Sequence, residues 1–74
     1  MTPTDIARVQ TYLRRTLGND RIAVEAPKRK GATVEVTVDK DFLGTLHRDE
    51  EEGEVSYSLL ISILDEDLPP PPKR

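Results

Sequence analysis

Ala32-Thr33-Val34-Glu35-Val36-Thr37-Val38-Asp39-Lys40-Asp41-Phe42-Leu43-Gly44-Thr45-Leu46 is the stretch that decides the fold. Val34, Val36 and Val38 alternate with Glu35 and Thr37, the two-residue period of a half-buried strand rather than the 3.6-residue period of a helix. Asp39-Lys40-Asp41 supplies turn residues between this strand and a following one, Phe42 to Arg48. Directly opposed residues of an antiparallel pair share a face. Setting Val38 against Phe42 therefore also sets Val36 against Gly44 and Val34 against Leu46, and the stretch reads as a hairpin with one apolar face.

Working towards the C-terminus, the acidic run Asp49-Glu50-Glu51-Glu52-Gly53 reads as a turn and Glu54 to Leu64 as a long fourth strand. Leu46 opposite Val55 brings Gly44 opposite Tyr57, whose ring can cover the bare glycine backbone, and Phe42 opposite Leu59. In this register Leu60, Ile61, Ile63 and Leu64 overhang the end of the third strand. The other face of the sheet collects Thr33, Thr37, Thr45, Ser56, Ser58 and Ser62 with His47 and Glu54, and carries Leu43, Leu60 and Leu64 among them.

Towards the N-terminus, Arg21 to Ala26 is expected to be the first strand, with Ile22, Val24 and Ala26 on one face. It joins the valine strand through Pro27-Lys28-Arg29-Lys30-Gly31. Ahead of it, Thr2 to Leu17 has the pattern of a single amphipathic helix. Thr2 is placed as N-cap, Pro3 at the first helical position, Asp5 to answer the cap, and Gly18 as the stop. Ile6, Val9, Leu13 and Leu17 form a narrow stripe with Tyr12 at its margin. The fold class that results is α+β, one N-terminal helix packed on a four-stranded antiparallel meander. A single domain over residues 1–68 is followed by a disordered proline-rich tail at 69–74.

The chain has 74 residues, 35% of them hydrophobic and 34% charged, with no cysteine and a net charge of −3. A disulfide-stapled module is excluded, and a layered enzyme with an enclosed active site needs a longer chain. A core this small supplies few net kcal/mol, so the sequence directs attention to self-association. No basic, apolar targeting segment and no membrane-length apolar run is evident, and a cytoplasmic location is expected.

Clusters that carry chemistry elsewhere are weak here. Asp49 to Glu54 concentrates carboxylates, but its glycine falls at the fifth position rather than the sixth that a calcium loop requires, so no metal and no cofactor are expected. His47, the only histidine, is expected opposite Glu54 as a cross-strand ion pair, and the open face around it provides no oxyanion donors for a triad. Catalysis is not expected. Lys28, Arg29 and Lys30, with Arg14, Arg15 and Arg21 near the helix end, are candidates for phosphate contact, although the three aromatic residues form no stacking platform.

Tyr12-Leu13-Arg14-Arg15, Asp41-Phe42-Leu43-Gly44, Arg48-Asp49 leading to Gly53-Glu54-Val55-Ser56-Tyr57, and Ile63-Leu64-Asp65 together resemble a small alphaproteobacterial family, domain of unknown function 3126. The resemblance covers nearly the whole chain except the proline tail. It implies a free-standing bacterial cytoplasmic protein and transfers no catalytic or binding residue.

The sequence thus points to a non-enzymatic protein-interaction module, a homodimer formed through the fourth strand or the hydroxyl-rich face. Leu43, Leu60, Ile61, Ile63 and Leu64 are the expected interface residues. The alternative is weak nucleic-acid or ribosome-associated binding through Arg14, Arg15, Arg21, Lys28, Arg29 and Lys30.

Overall fold

Thr2 and Asp5 start the helix by satisfying each other's backbone. Thr2 Oγ1 accepts from the Asp5 N–H at 3.1 Å, and the Asp5 carboxylate accepts from the Thr2 N–H at 3.1 Å. The computed structural model describes residues 1–29 and 31–72. Helix α1 spans Pro3–Leu17 and ends at Gly18, whose φ of 62° is the left-handed cap conformation that glycine takes without steric cost. Strands β1 (Ile22–Glu25), β2 (Val34–Val38), β3 (Asp41–Glu51) and β4 (Glu54–Ile61) follow, with a short 3₁₀ turn at Asp65–Asp67. The strands form one antiparallel sheet in the order β1-β2-β3-β4, which is the expected α+β meander.

Both central hairpins close through two-residue turns with both residues at positive φ: Asp39 and Lys40 at 53° and 71°, and Glu52 and Gly53 at 50° and 82°. This backbone twist matches that of the flanking strands. The first turn has a consequence one residue later. Val34 lies opposite Leu46 and Val36 opposite Gly44, as the alternation requires, but Thr37 lies opposite Phe42 and Val38 opposite Asp41. One extra residue of β3 is accommodated at this bulge. It reverses the expected roles of two neighbours: Phe42 is 60% exposed, whereas Leu43, expected on the outer face, is half-buried against the core.

The second turn moves the β3/β4 register. Leu46 pairs with Leu59 rather than Val55, an offset of four residues, and Gly44 pairs with Ile61 rather than Tyr57. The acidic run does not turn. Asp49, Glu50 and Glu51 continue the ladder opposite Ser56, Val55 and Glu54, where their carboxylates stay in solvent, and Glu52-Gly53 alone makes the reversal. The expected overhang of β4 is therefore absent. Leu60 pairs with Thr45, Ile61 with Gly44, and the ladder ends there.

Ile22, Val24, Val34, Val36 and Leu46 are the buried core, and all lie on β1, β2 or β3. Ile6, Val9 and Leu13 of α1 pack against them, but no helix residue is fully buried. Leu17, expected in the stripe, is exposed and is not among the helix residues packed on the core. The helix docks along β1, with two polar side chains fixing its position: Gln10 Oε1 accepts from the Val24 N–H at 3.0 Å, and Arg14 Nε donates to the Ile22 carbonyl at 2.7 Å.

Candidate interaction surface on the fourth strand

The sheet has two edges, and the chain treats them differently. At β1 the outward backbone groups of Ile22 and Val24 are engaged by Arg14 and Gln10, so that edge is closed by the molecule's own helix. At β4 no side chain of the described residues hydrogen-bonds to the backbone of Val55 to Ile61. The two-residue turn makes Glu51 and Glu54 the hydrogen-bonded pair that closes the hairpin. Alternation along the ladder then aims the backbone groups of Ser56, Ser58 and Leu60 at β3 and those of Val55, Tyr57, Leu59 and Ile61 outward.

Those four residues also share the inner face. Their partners across the ladder, Glu50, Arg48, Leu46 and Gly44, alternate in the same phase as the core residue Leu46. Because α1 sits over β1, this part of the inner face is only partly covered, with Tyr57 and Leu59 half-buried against the core. Val55 is 45% and Ile61 42% exposed, while the core valines of β1 and β2 stand at 7% or less. Between the helix and the strand lies an open groove of about 560 Å³, with Val9, Tyr12 and Leu13 on one wall and Leu46, Tyr57 and Leu59 on the other. Segment 55–61, Val-Ser-Tyr-Ser-Leu-Leu-Ile, carries no charge and no proline, the two devices that commonly protect an edge strand.

Charges gather at the rim. Asp5, held by the Thr2 amide and helped by the Arg48 charge, keeps its carboxyl below the usual carboxylate range. Arg48 Nη2 donates to Glu50 Oε1 at 3.1 Å; Glu50, with Tyr57, raises the pKa of the guanidinium further.

Of the expected interface residues, Leu60 is exposed on the outer face, Ile61 belongs to the inner face opposite Gly44, and Ile63 and Leu64 lie beyond the end of β4, exposed. Leu43 is the one drawn into the core margin. Val55 joins Ile61 as exposed inner-face surface, while Tyr57 and Leu59 are half-buried against the core and form the wall of the groove facing the helix, a placement that periodicity along the helix cannot reveal.

The basic candidates separate. Arg14 is engaged at the Ile22 carbonyl and Arg21 at Asp39, 3.1 Å away. Lys28 and Arg29 border a depression shared with Glu25 and Glu35, which makes the local charge mixed; Arg15 is exposed on the helix, and Lys30 lies outside the described residues. His47 pairs with Ser58, not Glu54, and its Nε2 is hydrogen-bonded to Thr45 Oγ1 at 3.0 Å. Among the described residues no group of histidines and carboxylates is arranged to hold a metal ion. No helix among them is long and apolar enough to cross a membrane. Pro69 to Pro72 are exposed and belong to no helix or strand; Lys73 and Arg74, which end the expected tail, lie outside the described residues.

The chain matches a family model described as "Protein of unknown function (DUF3126)" over residues 5–67. No curated protein and no solved structure matches the chain.

Proposed function

The chain belongs to the DUF3126 family, whose description states no activity, and from its own geometry we propose that it is a non-enzymatic interaction module that self-associates through β4. The observation that carries the proposal is the asymmetry of the sheet. The β1 edge is hydrogen-bonded by the helix, whereas the β4 edge presents outward backbone groups from four inner-face residues, of which Val55 and Ile61 are exposed and Tyr57 and Leu59 only half-buried. A core of five buried residues among the described ones, in a chain without cysteine, gives a further reason for a second copy, since covering this surface adds apolar burial that the single chain lacks.

Sedimentation equilibrium at micromolar concentration tests it. The expected mass is twice the 8.3 kDa of the chain. A mass of one chain throughout the micromolar range overturns the proposal.

A further inference from the structure

We infer that two copies pair β4 against β4 edge to edge and antiparallel, about a two-fold axis at Ser58, so that the two sheets become one. This rests on self-association through β4 and specifies its geometry. A two-fold axis perpendicular to the sheet keeps both helices on the same side and opposes residues whose numbers sum to twice that of the residue on the axis. Such a register sets odd-numbered residues against odd-numbered ones. The outward backbone groups of Val55, Tyr57, Leu59 and Ile61 therefore meet their counterparts, and their side chains stay on the common inner face.

Among these registers the one centred on Ser58 stands apart. It opposes Tyr57 to Leu59 and Val55 to Ile61 in both directions, so every inner-face residue of β4 gains an apolar neighbour within the span of the strand, Glu54–Ile61. Centring on Tyr57 would leave Ile61 opposite Gly53 in the turn; centring on Leu59 would set Val55 against Ile63, beyond the end of the strand. The Ser58 register also sets Glu54 against Ser62, so no like charges are opposed.

The register fixes a distance that no other arrangement shares. Ser58 faces its own counterpart as a non-hydrogen-bonded pair, with Cα atoms about 4.5 Å apart, inside the range a disulfide spans. Ser56 faces Leu60, and Ser56 lies about 13 Å from its own counterpart, four residues along the strand. Since the chain has no cysteine, single substitutions report without background.

Under mild oxidation Ser58→Cys is expected to shift to a disulfide-linked species of twice the chain mass. Ser56→Cys alone and Leu60→Cys alone are expected to remain uncrosslinked, while an equimolar mixture of those two crosslinks. If the wild type has twice the chain mass but Ser58→Cys and the mixture both fail to crosslink, self-association stands and the edge-to-edge register falls. A face-to-face packing of the inner surfaces would give that result, because Ser58 is on the outer face. Crosslinking of Ser56→Cys alone would move the axis and equally overturn the register. A wild-type mass of one chain removes both proposals.

Discussion

Gly44 shows how one absent side chain sets a strand's path. A Cβ added there would stand 2.2 Å from the Leu60 carbonyl oxygen, a backbone atom that cannot rotate away, so Gly44→Ala must displace β4 from β3. The expected cost is roughly 1–3 kcal/mol, as for other overpacked sites, and thermal unfolding should move down by about 4–8 °C for each kcal/mol. An unchanged melting temperature would mean that β4 does not approach as closely as described. Lys40 gives the opposite case. Its φ of 71° lies in the left-handed region, which costs an L-residue about 1–2 kcal/mol and glycine almost nothing. Lys40→Gly leaves the Arg21–Asp39 contact in place and is expected to stabilise the fold by about 1 kcal/mol, read from the denaturant midpoint. Neither site was legible as such. Gly44 was recognisable as a strand glycine needing a neighbour, but the neighbour is Ile61 rather than Tyr57, and the strain at Lys40 exists only because the turn has two residues instead of three.

At the scale of elements, faces were legible and registers were not, for a reason rooted in the pleat. The β3/β4 pairing differs from the expected one by four residues, an even number, so Val55, Tyr57, Leu59 and Ile61 keep the face that alternation assigns them even though all their partners change. The bulge in β3 is an odd insertion, and there the assignment of faces failed, at Phe42 and Leu43. The helix stripe was visible as far as Leu13, but its period does not say which strand it meets, and that placement leaves Val55 and Ile61 of β4 exposed. The polar side chains that anchor it make this element testable. Gln10→Leu removes the acceptor for the Val24 N–H, leaving a part-buried donor unpaired, and should cost about 1–3 kcal/mol. Amide hydrogen exchange offers a direct view. The Val24 amide should be protected in the wild type and exchange faster in Gln10→Leu, whereas Ser56, Ser58 and Leu60, bonded to β3, keep their protection. Equal exchange of Val24 in both proteins would show that the helix does not close the β1 edge.

For the whole molecule, the distribution of apolar surface ties stability to concentration. Among the described residues the buried core is confined to five on three strands, while the fourth strand keeps apolar side chains such as Val55 and Ile61 and outward backbone groups in solvent. If a second copy covers them, the folded dimer is favoured over unfolded chains by mass action, and the melting temperature must rise with protein concentration. A tenfold change in concentration is worth about 1.4 kcal/mol per dimer, or about 0.7 kcal/mol for each chain. For a domain of this length that corresponds to roughly 3–5 °C per decade. Ile61→Lys places a charge on the inner face at a residue already 42% exposed, so the monomer can keep its fold by sending the ammonium into water. The variant is expected to retain the far-ultraviolet circular dichroism of the wild type, to melt lower, and to melt at the same temperature across about two decades of concentration. A wild-type melting temperature that is equally independent of concentration would show that folding draws nothing from a neighbour, and that the bare surface of β4 is tolerated by the single chain.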